Sequence, residues 1–246
     1  MKSLLKGILK QFGWEIRRSA PPVAPAPPPR CSFRGCLTQA QQNGLNPKTV
    51  IDVGVATGTP ELYETFPQAF HLLIEPLIEN QSYLEAWKAK LAHCDYILGA
   101  AAQNSGHLKI NVHPDLVGSS LYKEAEGEAV DGVEREISTI TLDEASQQFH
   151  CSGPYLIKIV LEVSFFEFFK GAPTAWDYFQ FMSDRGFVIY DIFDISYRLL
   201  DRAMSQANVA FVPAQSIYRQ NHVYATPEQR AEQNQRLLAQ EYQFPL

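Results

Sequence analysis

Several features common in folded enzymes are scarce or missing from this 246-residue chain. Cysteine is scarce: Cys31, Cys36, Cys94 and Cys151 form no C-x-x-C pair, too few to read as a disulfide framework. They read as reduced thiols in a cytoplasmic protein. Cys31 and Cys36 lack a second ligand pair, and the six histidines show no helical H-x-x-x-H spacing, so no metal site is expected. No run approaches the roughly 20 apolar residues of a membrane span. A net charge of −6 argues against nucleic acid as the main partner. No internal repeat is found. The dinucleotide fingerprint G-x-G-x-x-G and the Tyr-x-x-x-Lys pair of one large reductase group are both absent.

Charge and proline are unevenly placed. Residues 1–18 carry Lys2, Lys6, Lys10, Arg17 and Arg18 against Glu15 alone, which makes +4 and leaves −10 for the remainder. Leu4, Leu5, Ile8, Leu9 and Phe12 recur there at helical spacing, and the lysines between them interrupt any signal-peptide core. A basic amphipathic helix over 1–18 is expected. It suits either docking on a subunit or peripheral contact with a membrane surface. Residues 19–30 follow as a stiff linker, with six prolines between Ala20 and Pro29. The folded domain is expected over 31–225 and a C-terminal helix over 226–246, capped at Thr226 and Pro227. Oligomeric state is not legible.

With 46% apolar residues and alternating strand and helix patterns, the domain reads as α/β with a doubly wound, mostly parallel sheet and a C-terminal antiparallel hairpin. The expected elements are a helix over 37–43, strand 49–54, helix 60–66, strand 71–75, helix 80–92 and a strand over 96–101. A strand over 108–112, a strand over 136–140 and a helix opened by Thr141 to Glu144 come next. Helix 174–185 should turn Trp176, Phe179 and Met182 inward. Strands 187–192 and 208–212 make the hairpin.

The most informative stretch is TVIDVGVATG, Thr49 to Gly58. A β-branched strand stops in a two-glycine loop, and Thr59, Pro60 and Glu61 then suit a helix start. Glu75 ends the next apolar run, where an acid at a strand tip grips a ribose diol. The spacing D-x-G-x-x-x-G from Asp52 to Gly58 favours S-adenosylmethionine, whose binding needs no pyrophosphate cradle. In this reading Asp52 and the loop amides surround the methionine part, and Glu75 holds the ribose. The candidate cofactor contacts are Asp52, Gly54, Ala56, Thr57, Gly58, Glu75, Pro76 and Ala101.

GLNPKTVIDVG (Gly44 to Gly54), LIEP (Leu73 to Pro76), GSSL (Gly118 to Leu121), TLD (Thr141 to Asp143), LIKI (Leu156 to Ile159), LEVSF (Leu161 to Phe165) and GFVIYD (Gly186 to Asp191) occur in that order. Together they resemble successive blocks of the FkbM-type methyltransferases, from about residue 37 to 219. The resemblance implies a Rossmann-like methyltransferase fold. It also implies S-adenosylmethionine-dependent O-methylation of a small hydroxylated acceptor such as a sugar, lipid or natural product. In that family LIKI continues with an aspartate, a crossover helix and a return strand. Here Val160 leads straight into LEVSF, and roughly two dozen residues of a βαβ crossover are missing. Tyr155 to Phe166 should then run as one long strand or kink, and the sheet should lose a strand or expose an apolar edge. Glu162 and Lys158 are the remaining catalytic candidates, with His113 and Asp115 as alternatives. A noncatalytic S-adenosylmethionine-binding or interaction module is the competing function.

Overall fold

The structure is a computed structural model that describes residues 30–116, 118–123, 132–160 and 163–241. The expected arm over 1–18, most of the linker and Glu162 lie outside the described residues.

The central sheet has four parallel strands in the order β3-β2-β1-β7: β1 Thr49–Val53, β2 Phe70–Glu75, β3 Cys94–Leu98 and β7 Tyr155–Ile159. Helix α1 (Phe33–Gln42) precedes β1, α2 (Pro60–Thr65) joins β1 to β2, and α3 (Gln81–Lys90) joins β2 to β3. Period-two alternation sorts the strand residues onto two faces. Val50 and Leu73 pack with Leu37, Leu62, Tyr63 and Leu84 of the three helices. Ile51, Leu72 and Ile74 face the other way and pack on Ala145 of α4 (Leu142–Gln148). Both faces of β1 and β2 are therefore buried, which is why these strands read as nearly unbroken apolar runs. Helix α4 starts as expected: the Thr141 hydroxyl accepts from Glu144 N–H at 3.1 Å, and the Glu144 side chain returns to the Thr141 N–H.

The remaining strands do not extend this sheet. The single strand expected over 96–101 is broken at Gly99. Its second part, β4 (Ala100–Ala101), joins β5 (Gly106–Val112) and β6 (Val133–Ile140) in a separate sheet ordered β4-β6-β5. A side chain at Gly99 would stand 3.1 Å from the Ser138 carbonyl oxygen, so glycine suits the close approach of the two sheets. The hairpin, β8 (Phe187–Tyr197) and β9 (Met204–Pro213), is longer than expected and forms its own two-stranded sheet. It is held to the body by Phe33 stacked on Phe193 and by Ala207 N–H bonded to the Val163 carbonyl.

Helix α5 (Ala175–Asp184) corrects one expectation. Phe179 packs on Phe211, but Trp176 is 72% exposed, because the helix lies mainly against the narrow hairpin, which one stripe of the helix is enough to cover. Helix α6 (Pro227–Glu241) closes the described chain.

Of the two expectations for Tyr155 to Phe166, one long strand or a kink, the long strand does not form: β7 ends at Ile159 and leaves an apolar edge exposed. Among the described residues nothing pairs with the outer edge of β7. Leu156 and Lys158 face α1–α3, whereas Tyr155, Ile157 and Ile159 lie on the face of α4, which does not reach them, and all three are exposed. The register pairs Ile51 with Ile157, one 1% and the other 44% exposed. Ile51→Ala is expected to cost about 2–5 kcal/mol in urea unfolding and Ile157→Ala less than about 1.5 kcal/mol, since only the first leaves a buried cavity.

Candidate functional site

Strand order reverses at β1: the chain moves outward through β2 and β3 and returns to lay β7 on the other side. The crevice beyond the carboxyl ends of β1 and β7 is such a switch point, the usual ligand position in an open α/β sheet. The loop 54–58 sits there.

Asp52, on β1, has no exposed surface. Its Oδ2 accepts from the Tyr63 hydroxyl at 2.6 Å, and Lys158 Nζ on β7 lies 2.9 Å from Oδ1. That second contact is an ion pair set off the direction of a hydrogen bond, so Oδ1 has no directed donor. Burial and the adjacent carboxylate push the Tyr63 phenol far up, which keeps it a neutral donor. His71, on the same face, donates from Nε2 to the Phe66 carbonyl at 3.0 Å, and its ring meets Tyr63 edge-on. Burial holds its pKa below 6.5.

The loop is pinned from three directions. Lys158 Nζ donates to the Gly54 carbonyl at 2.9 Å, the Trp87 indole donates to the Thr57 carbonyl at 3.0 Å, and the Ala56 N–H donates to Glu75 Oε2 at 2.8 Å. Gly58, at φ +115°, is fixed by the indole as well as by its backbone, because a methyl group there would stand 2.0 Å from Trp87 Nε1. Gly54, at φ +73°, leaves room for Val160, whose Cβ would be 3.0 Å from a side chain at 54.

Glu75 is buried at the tip of β2. Its Oε1 accepts from Leu77 N–H at 3.0 Å and from Asn80 Nδ2 at 3.1 Å. With Ala56, three of about four lone-pair directions are taken, which leaves one for a ligand hydroxyl.

The structure therefore joins Asp52, Gly54, Ala56, Thr57, Gly58 and Glu75 in one bonded constellation with Pro76 beside it. Ala101 is elsewhere: in β4 it pairs with Ile140 of β6, and it packs on the opposite face with Ile51 and Ile74. Lys158 belongs to the constellation as the tie between Asp52 and the loop. His113 and Asp115 sit in the turn after β5, where Asp115 Oδ1 accepts from Gly118 N–H at 3.2 Å. Thr59 occupies the N-cap of α2 without a side-chain cap bond. Among the described residues no three His, Cys, Asp or Glu side chains cluster as a metal cage requires. Burial pushes the thiols of Cys36 and Cys94 up to about 12. Sequence reasoning missed Tyr63, Asn80 and the loop contact of Trp87. Only Trp87 carries a sequence signal, at helical spacing with Leu84 and Leu91 on one face of its helix.

Lys158→Met is expected to destabilise toward the lower end of about 3–5 kcal/mol, since it strands a buried carboxylate but removes a partner that is itself partly exposed. Adding Asp52→Asn should recover at least about 1 kcal/mol, read as non-additivity in a double-mutant cycle of urea midpoints. His71 gives a pH signature. The native ring stays neutral while the unfolded chain takes up a proton, so stability falls as pH drops below 6.5, by at most about 1.4 kcal/mol per pH unit. His71→Gln should flatten that slope.

No protein-family model matches the chain, and no curated protein or solved structure was found to be similar to it. The methyltransferase resemblance rests on the residue blocks themselves.

Proposed function

We propose that this domain binds S-adenosylmethionine at the carboxyl ends of β1 and β2 and is a methyltransferase of the Rossmann-like type. Its expected acceptor is a hydroxyl on a small sugar, lipid or natural product. The observation that carries the reading is the buried Glu75 carboxylate at the strand tip, bonded to the amide of a loop whose glycines hold positive φ. The residues present fit such a ligand. Glu75 offers a lone pair to a ribose hydroxyl, the backbone at Gly54 and Gly58 admits close approach, and exposed Thr57 borders the crevice. The bound sulfonium would supply the methyl group. This chain would supply position and orientation, which account for much of the acceleration in such transfers.

A second reading, a noncatalytic binding module of the same descent, is favoured by Val160 and Lys158. Val160 stands where the resemblance places an aspartate, and it presents methyl groups to Gly54 at the switch point. Lys158 is committed to Asp52 and the Gly54 carbonyl, not turned toward an acceptor. The two readings share the cofactor site and part at turnover.

Calorimetric titration with S-adenosylmethionine tests the shared part. Stoichiometric binding is expected for the wild type, and none for Glu75→Ala. The substitution should also lower stability by about 2 kcal/mol or more, because two backbone N–H groups lose their acceptor. A cooperative melt must therefore confirm that the variant is folded at the titration temperature. A wild type that melts cooperatively and binds nothing overturns the methyl-donor reading.

A further inference from the structure

The end of the β8–β9 hairpin has a chemistry that the crevice does not use. Leu199 and Leu200 are 91% and 83% exposed, the highest values among the large apolar side chains of the described residues. Their exposure comes from an ordered turn. Arg198 N–H donates to the Ala203 carbonyl at 2.8 Å, Arg202 N–H to the Arg198 carbonyl at 3.1 Å, and Ala203 N–H to Asp201 Oδ1 at 3.0 Å. With the backbone groups satisfied inside the turn, the two leucines are held outward. Behind them stands Tyr197, also exposed. Arg198 has its guanidinium 4.8 Å over the Phe166 ring and its Nε 3.5 Å from Asp201, and the exposed Arg202 stands at φ +63°. The hairpin just short of the tip is fastened to the body, Phe165 N–H donating to the Ser205 carbonyl at 2.9 Å. The tip is therefore presented on a rigid support.

We propose that this tip docks on an anionic lipid surface, with Leu199 and Leu200 entering the interfacial layer, Tyr197 at headgroup level and the two arginines on the phosphates. The layering of apolar end, amphipathic ring and cationic collar is that of a peripheral membrane contact. Two arginines against Asp201 make the tip cationic in a chain of net charge −6, so its charge complements an anionic leaflet. Shape separates a bilayer from a protein partner. Two leucines on a convex turn are far smaller than the roughly 800 Å² per side of a stable protein interface, whereas a lipid layer accepts a small convex wedge. The +4 charge of residues 1–18 is attracted to the same surface, and stable anchoring generally needs two such signals.

The test is cosedimentation of the full chain with phosphatidylcholine vesicles, with and without one-third phosphatidylserine. Binding to the anionic vesicles is expected. Leu199→Ser with Leu200→Ser should weaken it by at least about tenfold with an unchanged melt, because both leucines lose their apolar burial. Arg202→Glu should weaken it as well. The proposal is overturned if the wild type binds neither vesicle, if it binds both equally, or if the double variant binds like the wild type. It is also overturned if light scattering shows a self-associated protein that the double variant makes monomeric, since a second copy then covers the tip.

Discussion

The carboxylate of Asp52 has no contact with solvent and no stable existence without its partners, and the surrounding structure follows from that constraint. A buried charge is tolerated only when paired and hydrogen-bonded. Tyr63 brings α2 to it from one side and Lys158 brings β7 from the other. Lys158 then reaches past the carboxylate to the Gly54 carbonyl. These three contacts around one carboxylate couple the central strand, a helix, the last parallel strand and the loop at the switch point.

The loop inherits its shape from that coupling. Glu75, Trp87 and Lys158 come from three different elements, and each holds one backbone group of residues 54–57. Such bracing preorganises the backbone, so little ordering cost remains for a ligand that meets it. The crevice is uneven. On the β2 side it offers a charged acceptor; on the β7 side it offers Val160 and a lysine already engaged. The β2 side of the crevice is therefore better furnished for a polar ligand than the β7 side.

The same imbalance runs through the sheet. β1 and β2 have helices on both faces. β7 is covered on one face only, and its other face shows Tyr155, Ile157 and Ile159 to solvent. A crossover helix is the ordinary way to cover such a face and carry a chain to a further parallel strand. Without one, the chain bends away, and β8 pairs with β9 in a ribbon of its own.

Features that depend on neighbours a few residues apart were legible in the sequence. The β-branched run of β1, the glycines of its loop, the proline opening α2 and the capping box at Thr141 follow from dihedral preferences and local hydrogen bonds. The acid closing β2 was legible for the same reason. Tertiary structure alone decided what each charged or aromatic side chain meets. In the sequence Lys158 is a catalytic candidate, yet its partners Asp52 and Gly54 lie more than a hundred residues away and are reached only through the strand order β2-β1-β7. Trp87 and Trp176 have the same helical spacing, but one helix packs against a sheet and turns its indole onto a loop, while the other covers a narrow ribbon and leaves its indole in water. Periodicity specifies that a face is apolar; which surface is there to cover it is settled by contacts between distant segments of the chain.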